Sequence, residues 1–364
     1  MVLTTKFNCE KHEQQEFKIC DCDPDLDKCL FCLEEEAKND KPQIALQPQS
    51  QPPSNRHCFI FLINTAVNDR NAFPVVSFIE DTQESSIFNV LAKSQDEGFM
   101  IYEYSGVVAL NSREFLITGG QVVQGTTKDV YILRFELIGQ VYLYVVERLS
   151  DLLNERYSHK AFSINQKFIV AGGLDQDKKA LKSCEIYEKN VWNKGPELNK
   201  ARSQASGFSH GGFLYIFGGF LKTKIQETTF ERLDAKELAK WEEIKLKVNE
   251  SIHLAACHCL DYKNGVLLLG GSNGKTASSG VFFWDIEKEE IVKRKEIMKF
   301  ERANAVGTLV ENNKVLVLGG EKDSVVRLEL IGLVKEGQSN TDLDEEEDQK
   351  CPFNEPGYFW FQLK

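Results

Sequence analysis

The segment LLLGG, residues 267–271, joins a strongly strand-forming run to two adjacent glycines, and the same junction recurs along the chain. Glycine is a weak strand former, so a repeated pair directly after an aliphatic run indicates a required backbone geometry. The pairs occupy positions 119–120, 172–173, 218–219, 270–271 and 319–320, so the steps between their first members are 53, 46, 52 and 49. A period of about 50 residues predicts an array of repeated structural units.

The composition is that of a globular protein with an acidic surface. Of the 364 residues, 42% are hydrophobic and 27% are charged, and the formal net charge is −11. An acidic chain disfavours general binding to nucleic acids and to anionic membranes. The sequence has no apolar run long enough to span a bilayer and no N-terminal secretory segment, so we expect a cytoplasmic protein. In that reducing compartment, clustered cysteines bind metal more often than they form disulfides.

Three zones differ in composition. Residues 1–37 contain half of the cysteines, and residues 38–55 are rich in Gln, Pro, Asn and Lys, which predicts a flexible linker. From residue 56 to 364 short apolar runs alternate with polar turns, a pattern typical of an all-β ring or sandwich. Within this zone, residues 336–356 include the acidic run TDLDEEEDQ and predict a solvated loop.

The repeats share more than the glycine pair. Arg156 and Arg202 precede the first glycine of their units at one common offset, and Arg302 and His253 precede theirs at an offset longer by one position. After the glycines comes a variable loop, then a strand with an aromatic residue, and in some units a Trp. We interpret each unit as four strands, in which glycine permits both the φ values and the close approach of neighbouring strands. The bulky aromatic side chains are expected to pack between adjacent sheets.

An arginine, small residues, an aliphatic strand ending in Gly-Gly, and then Tyr and Trp resemble the kelch repeat. The resemblance implies a β-propeller of four-stranded blades around a channel, and it adds the cytoskeleton as an expected location. It covers five units, at about residues 98–150, 151–197, 198–248, 249–297 and 298–335.

Three more strand candidates, at residues 57–63, 73–79 and 86–92, lack a glycine pair. We interpret residues 56–97 as a degenerate blade, and we therefore expect a six-bladed kelch-type β-propeller. The C-terminal stretch GYFWFQLK, residues 357–364, resembles the outer strand of the third unit. It is expected to be a closing strand, in either the fifth unit or this degenerate blade, because closure removes unpaired sheet edges.

Residues 9–32, CEKHEQQEFKICDCDPDLDKCLFC, contain two short ligand spacings, Cys9-x2-His12 and Cys29-x2-Cys32. A structural zinc takes four sulfur or nitrogen ligands in a tetrahedron, and such spacings let one turn present two of them. The metal would also supply folding free energy to a segment with almost no core. The alternative is a tail without fixed structure that carries reactive thiols.

With Cys20 and Asp23 between these pairs, the order of ligands resembles a B-box zinc finger. The resemblance implies that Cys9, His12, Cys29 and Cys32 share one structural zinc. A second zinc at Cys20 and Asp23 would need two histidines downstream, and no histidine lies between residues 12 and 57. We therefore expect a B-box-like finger with one zinc in residues 1–37.

The sequence shows no catalytic constellation. It lacks G-x-S-x-G, Walker-type and H-E-x-x-H motifs, and GGSNGKTASSG, residues 270–280, is interpreted as a loop between two strands. His159, His210 and His258 fall at different offsets in their units and need not converge. Alternation along a strand places Cys257 and Cys259 on one face and His258 on the other, so we interpret the cysteines as core thiols.

The repeat-related set of Arg156, Arg202, His253 and Arg302 has two interpretations. The set is expected to form a partial circle near one mouth of the channel. It could bind anionic groups of a partner, because the arginine fork suits carboxylates. Alternatively, each residue braces its own blade junction against a backbone carbonyl or an acidic residue.

These observations favour a non-enzymatic module that binds protein partners through propeller loops, with the zinc finger as a second contact or dimerisation element. One alternative is an adaptor that brings substrates to a ubiquitin ligase. It normally needs a helical or RING domain, and the segment that precedes the ring is too short to contain the former. Another is a kelch-fold enzyme such as an oxidase, for which no metal ligand set can be assembled here.

Overall fold

The computed structural model describes residues 57–64, 72–79, 84–92, 99, 101–111, 113–122, 125–138, 141–222, 225–248, 251–310, 313–320, 328–333 and 358–363. For residues 57–64, 72–79, 84–92 and 358–363 it describes the backbone only. The predicted zinc ligands Cys9, His12, Cys20, Asp23, Cys29 and Cys32 and the linker at 38–55 lie outside the described residues.

An eight-stranded sheet contains both the first and the last strand of the described chain. Its N-terminal strands are β1 (His57–Asn64), β2 (Ala72–Ile79) and β3 (Glu84–Ala92). The strands that follow are β4 (Gly106–Ala109), β5 (Glu114–Thr118), β8 (Val130–Ile138) and β9 (Val141–Arg148), with β6 (Gln121–Val122) and β7 (Gly125–Thr126) as a small hairpin between β5 and β8. Strands β4, β5, β8 and β9 form the first blade, numbered from its inner to its outer strand.

The second and third blades are complete four-stranded antiparallel sheets. The second consists of β10 (Lys160–Ile164), β11 (Lys167–Ala171), β12 (Cys184–Glu188) and β13 (Val191–Lys194). The third consists of β14 (Ser206–His210), β15 (Phe213–Phe217), β18 (Phe230–Asp234) and β19 (Glu242–Ile244), with a hairpin of β16 (Phe220–Lys222) and β17 (Ile225–Gln226).

The fourth blade is joined at its outer edge by the short parallel strand β20 (Lys247–Val248). Its own strands are β21 (His258–Tyr262), β22 (Gly265–Leu269), β23 (Ser278–Asp285) and β24 (Glu290–Arg302). The described strands of the fifth blade are β25 (Val306–Val310), β26 (Lys314–Leu318) and β27 (Leu328–Gly332), and the last strand of the chain is β28 (Tyr358–Leu363). The inner strands β4, β10, β14, β21 and β25 lie next to one another in this order.

The β-propeller predicted from the repeats is therefore confirmed, but the described residues form five blades, and the prediction of six is wrong. The three N-terminal strand candidates do form strands. They do not form a separate blade, because β3 pairs in parallel with β9 and continues the sheet of the first blade. The C-terminal strand β28 pairs with β1 along its whole length, which is the second of the two positions considered for it.

The glycine pairs have the geometry that the repeats predicted. The inner-hairpin strands β5, β11, β15, β22 and β26 all end directly before the first glycine of a pair. These five first glycines have φ between 56° and 68°. A Cβ on Gly172 would lie 2.5 Å from the carbonyl oxygen of Arg202 in the next blade. Both the left-handed backbone and this close approach exclude a larger residue.

Aromatic side chains pack between consecutive blades, as expected from their positions in the repeats. Trp284 of the fourth blade is 1% exposed. Its ring meets those of Phe208, Phe217 and Phe230 of the third blade edge-on, with centroid distances of 5.1 to 5.4 Å. Such edge-to-face contacts add to the free energy gained from burial of the rings. Among the described residues, none lies in a helix with the length and apolarity needed to cross a bilayer.

Candidate functional site

We define the Gly-Gly end of the propeller as the end at which the glycine pairs lie. The loop that leads from each outer strand to the next inner strand lies at the same end, because alternate strands of an antiparallel sheet reverse direction. Three of the four sequence-predicted site residues, Arg156, Arg202 and Arg302, belong to these loops or their edges. Each of these arginines has an exposed fraction of 0%.

Both terminal nitrogens of the Arg202 guanidinium form hydrogen bonds inside its own blade. Its Nη1 donates to the carbonyl oxygens of Gly218 at 2.8 Å and Thr229 at 3.2 Å. Its Nη2 donates to Thr229 Oγ1 at 2.9 Å and to a carboxylate oxygen of Glu231 at 2.6 Å. The side chain thus fastens the glycine turn after the second strand to the start of the third strand.

Arg156 repeats this pattern. Its guanidinium donates to the carbonyl oxygens of Gly172 and Ser183 at 2.9 and 2.8 Å, and to Glu185 at 2.7 Å. Arg302 donates to the carbonyl oxygen of Gly319 at 2.6 Å and pairs with Glu329 at 3.0 Å. The three arginines therefore occupy one equivalent site in three blades.

The carboxylate of each pair has further donors from the loop before the arginine. Glu231 accepts hydrogen bonds from the backbone N–H of Asn199 at 2.7 Å and of Lys200 at 3.2 Å, and from Asn199 Nδ2 at 2.9 Å. Glu185 likewise accepts from the backbone N–H of Leu153 and Asn154. A buried charge is tolerated when its hydrogen-bonding capacity is met in this way.

The same arginines join neighbouring blades through their backbone. The carbonyl oxygen of Arg202 accepts a hydrogen bond of 2.8 Å from the N–H of Gly173 in the preceding blade. Those of Arg156 and Arg302 accept equivalent bonds from Gly120 and Gly271. Each arginine is therefore a brace between two blades, which is the second interpretation of the sequence. The other interpretation, that these guanidinium groups bind a partner, stays a prediction. None of the three groups is exposed, so a partner could contact them only after a change in structure.

His253 is not the counterpart of the arginines in the fourth blade. A Cβ on Gly218 would collide with the carbonyl oxygen of Leu254, just as a Cβ on Gly172 would meet that of Arg202. Leu254 is buried and packs in one apolar cluster with Phe282. By strand register, Phe282 lies opposite Leu268 in the position that Glu231 occupies opposite Ile216. An apolar pair thus replaces the ion pair in this blade.

The histidine that sequence reasoning selected lies one residue earlier. His253 is half-buried, and its Nε2 lies 3.1 Å from Asn273 Nδ2 in the loop of the fourth blade. That loop belongs to the segment 270–280, and it connects β22 to β23 as expected. Ser272 within it forms isolated bridges with Ala255 and Ala277.

Two further histidines, His159 and His258, have separate partners. His159 Nε2 lies 2.7 Å from Thr118 Oγ1, between the first and second blades. Burial, together with the charge of Arg156, holds the pKa of His159 well below its usual value of 6.5. His258 Nε2 lies 2.9 Å from the carbonyl oxygen of Gly307 in the fifth blade, and burial is the main cause that lowers its pKa to about 4. Both side chains are therefore neutral, structural imidazoles.

A ring of left-handed residues lies at the Gly-Gly end and was not foreseen from the sequence. In each blade, one non-glycine residue has φ between 50° and 58°. It lies two positions before the first residue of the inner strand. We call this set the left-handed ring: Tyr104, Ser158, Gln204, Ala256 and Asn304. In three of the blades, the residue stands two positions after the bracing arginine. The residue types share no signature, so only the repeat offset could have indicated the set.

Backbone hydrogen bonds connect this ring from blade to blade. The N–H of Ser158 donates to the carbonyl oxygen of Tyr104 at 2.8 Å, and Gln204 donates to Ser158 at 2.8 Å. Ala256 then donates to Gln204 at 2.9 Å, and Asn304 to Ala256 at 2.8 Å. A left-handed backbone costs a non-glycine residue about 1–2 kcal/mol. Five such residues, one in each blade, therefore need support from the surrounding structure. Tyr104 and Asn304 are exposed, and Gln204 is half-buried.

A polar cleft of about 580 Å³ opens at the same end, between the first and second blades. Its rim carries the exposed or half-buried carboxylates of Glu155, Asp175, Asp177 and Glu197. Two lysines, Lys128 and Lys194, also line it. The cleft therefore presents mainly negative charge beside the brace of the second blade.

Within the part of the chain that the structure describes, no group of three or more His, Cys, Asp or Glu residues could hold a metal ion. A scan against protein-family models and a search of curated proteins found no match to this chain.

Proposed function

We propose that this chain is a non-enzymatic scaffold of the kelch type that binds a protein partner at the Gly-Gly end of its propeller. The kelch assignment is supported by the recurrence of one arrangement, in which an arginine side chain holds the glycine turn of its own blade. The same arrangement holds the preceding blade through the arginine carbonyl. The proposal includes a cytoplasmic location and a structural zinc finger in residues 1–37 as a second contact or dimerisation element.

The observation that carries this proposal is the left-handed ring. Five consecutive inner-strand approaches are held in a costly backbone conformation by hydrogen bonds between blades. Strained backbone of this kind is concentrated at functional positions, where the surrounding structure fixes it. The ring presents Tyr104, Gln204 and Asn304 as polar or amphipathic side chains on a rigid frame, and such groups are suited to recognition of another protein.

The polar cleft supports a partner that carries basic side chains. Its carboxylates at positions 155, 175, 177 and 197 lie at the same end of the propeller as the ring. The net charge of −11 adds a long-range attraction for a positively charged partner. The proposal therefore favours a basic segment that lies across the ring and extends into the cleft.

The experiment replaces the three ring side chains with glycine, as Tyr104→Gly, Gln204→Gly and Asn304→Gly together. Glycine adopts positive φ without steric cost, so the backbone ring is retained and the side chains are removed. We expect the melting temperature to change little and the affinity for captured partners to fall by about tenfold or more, as for side chains near the centre of an interface.

The matched control is Asn165→Gly, Gln166→Gly and Lys263→Gly. These three residues also have positive φ, but they lie in turns between inner-hairpin strands at the opposite end. Partners are identified by quantitative affinity capture from cells with the wild-type chain and with both variants. The proposal is abandoned if the ring variant retains every partner that the control variant retains.

A further inference from the structure

Two thiols lie together between the third and fourth blades, at the inner strands. Cys257 directly precedes β21 and Cys259 lies within it, and both face β14 of the third blade. The backbone N–H of Cys257 donates to Ser206 Oγ at 2.9 Å, and its Sγ lies 3.0 Å from the same oxygen. His258 faces the fifth blade instead, so the alternation predicted from the sequence is confirmed.

Cys259 packs against the buried cluster that contains Cys257, so the two thiols are neighbours on the face toward the third blade. The thiol of Cys259 donates to Cys257, and this bond is the first cause of the lowered pKa of Cys257. Ser206 and the positive charge of Lys160 on β10 act in the same direction. Burial and the neighbouring sulfur raise the pKa of Cys259 well above its usual value. Of the two thiols, Cys257 is therefore the one that loses its proton more readily.

Solvent reaches this pair only in part. Cys257 is 8% exposed, and Cys259 is half-buried. Cys259 lies on an inner strand, and the inner strands border the channel of the propeller. Such limited exposure favours a small neutral oxidant over a protein reductant or oxidase. Redox-sensitive cysteines combine a stabilised thiolate, access and a neighbouring resolving thiol.

We propose that Cys257 and Cys259 form a peroxide-reactive dithiol site, in which Cys257 is the attacking thiol and Cys259 resolves it to an intramolecular disulfide. In the first step the Cys257 thiolate attacks one oxygen of the peroxide. An S–O bond forms, the O–O bond breaks, and the leaving hydroxide takes a proton to become water. Cys257 is then a sulfenic acid, oxidised by two electrons.

In the second step the sulfur of Cys259 attacks the sulfur of the sulfenic acid. The S–S bond forms, the S–O bond breaks, and the hydroxyl group leaves as water with the proton of the Cys259 thiol. The sum is two thiols and one peroxide converted to one disulfide and two molecules of water. A disulfide needs its Cβ atoms about 3.5–4.5 Å apart, so its formation requires a local change of the backbone at the start of β21, where Cys257 lies just outside the strand.

The test treats the full-length native chain with hydrogen peroxide, alkylates the remaining thiols and digests with trypsin. Residues 248–263 form one tryptic peptide that contains both cysteines, and residues 183–189 form another that contains Cys184. We expect the first peptide to lose two hydrogen masses and to escape alkylation. Cys184 is an internal control, because it is buried and its burial raises its pKa to about 12. The pair should react about tenfold faster than Cys184 or more.

Two variants separate the roles. In Cys259→Ser, the sulfenic acid on Cys257 should persist and be trapped by dimedone. In Cys257→Ser, Cys259 should be oxidised by peroxide no faster than Cys184. In denaturant the difference from Cys184 should vanish, since it depends on the folded site. The proposal is overturned if the native pair reacts no faster than Cys184, or if either cysteine forms its disulfide with a cysteine elsewhere in the chain.

Discussion

Arg202 and Glu231 are joined by an ion pair of 2.6 Å in which neither side chain is exposed to solvent. Two buried charges are costly to desolvate, so the pair is tolerated because each partner neutralises the other and both have further hydrogen bonds. In the fourth blade both members are replaced, by Leu254 and Phe282, and the two apolar side chains pack in the same cluster. The charged residues are thus present together or absent together.

This relationship predicts a strongly non-additive pair of substitutions. Arg202→Leu or Glu231→Phe alone leaves one buried charge without its partner and should lower the free energy of unfolding by about 3–5 kcal/mol. The double variant copies the fourth blade and should lose less than either single variant. Denaturant unfolding of the four proteins measures the coupling.

The control for this cycle is an exposed ion pair between β18, the strand of Glu231, and its neighbour β19. Arg232 and Glu242 lie 3.4 Å apart, with side-chain exposures of 36% and 51%. Arg232→Leu should change the free energy of unfolding by about 1 kcal/mol or less, because exposed pairs contribute little. Additive losses in the Arg202 and Glu231 cycle would contradict the proposed dependence of one charge on the other.

The glycine pairs allow a steric effect to be separated from a conformational one. Gly218 and Gly211 have nearly the same φ, 61° and 58°. A Cβ on Gly218 would collide with the backbone of Leu254 in the next blade, whereas a Cβ on Gly211 would meet nothing within 4 Å. Gly211→Ala should therefore cost about 1–2 kcal/mol, the penalty of a left-handed backbone.

Gly218→Ala should cost clearly more than this, because blades three and four must move apart to admit the methyl group. Urea titrations of both variants give the comparison. Equal losses in the two variants would show that the close approach of the blades contributes nothing, and that the φ value alone requires glycine at this position.

The period of the glycine pairs predicted the repeated units and their strands, because a left-handed φ and a backbone contact both depend on the absence of a Cβ. The propeller itself was implied by the resemblance to the kelch repeat. The arginines could be recognised because they precede the glycine pairs at a nearly constant offset. Their carboxylate partners were not identified from the sequence. Glu185 and Glu329 follow their arginines by 29 and 27 residues, across a loop of variable length. A pair that joins two strands through such a loop leaves no fixed spacing in the sequence.

Counting from the glycines also gave the wrong residue in the fourth unit. The offset between the arginine and the first glycine is 16 for Arg202 and 17 for Arg302, so the offset alone could not distinguish His253 from Leu254. The backbone contact of Leu254 with Gly218 decides between them. The prediction of six blades was wrong for a related reason. Strand candidates can be recognised from the sequence pattern, but the parallel pairing of β3 with β9 cannot.

The predicted zinc finger lies outside the described residues and is tested directly on the full-length chain. We expect about one zinc per chain by elemental analysis, bound by Cys9, His12, Cys29 and Cys32, since four such ligands complete a tetrahedral structural site. Cys29→Ser with Cys32→Ser should remove the metal. The control is Cys184→Ser, in which the zinc content should be unchanged because Cys184 is buried in the propeller. Purified protein without zinc would eliminate the finger.

The buried histidines predict how stability depends on pH. His159 and His258 both have a folded-state pKa below 6.5, that of His258 about 4, and burial is the main cause for each. Below pH 6.5 the unfolded chain therefore binds protons that the folded chain excludes. The free energy of unfolding should fall as the pH decreases below about 6.5, and His258 should contribute up to about 1.4 kcal/mol per pH unit down to about pH 4. His159 should act in the same direction.

His258→Gln isolates one of these contributions. Glutamine can still donate an N–H to the carbonyl oxygen of Gly307, the partner of His258 Nε2, but it does not titrate. The variant should therefore lose stability less steeply than the wild type between pH 6.5 and 4, by about 1.4 kcal/mol per pH unit. Above pH 7.5 the two curves should run parallel, because the imidazole is neutral in both the folded and the unfolded chain. Chemical denaturation at half-unit pH intervals measures both slopes. If they are the same below pH 6.5, protonation of His258 does not limit the acid stability of the propeller.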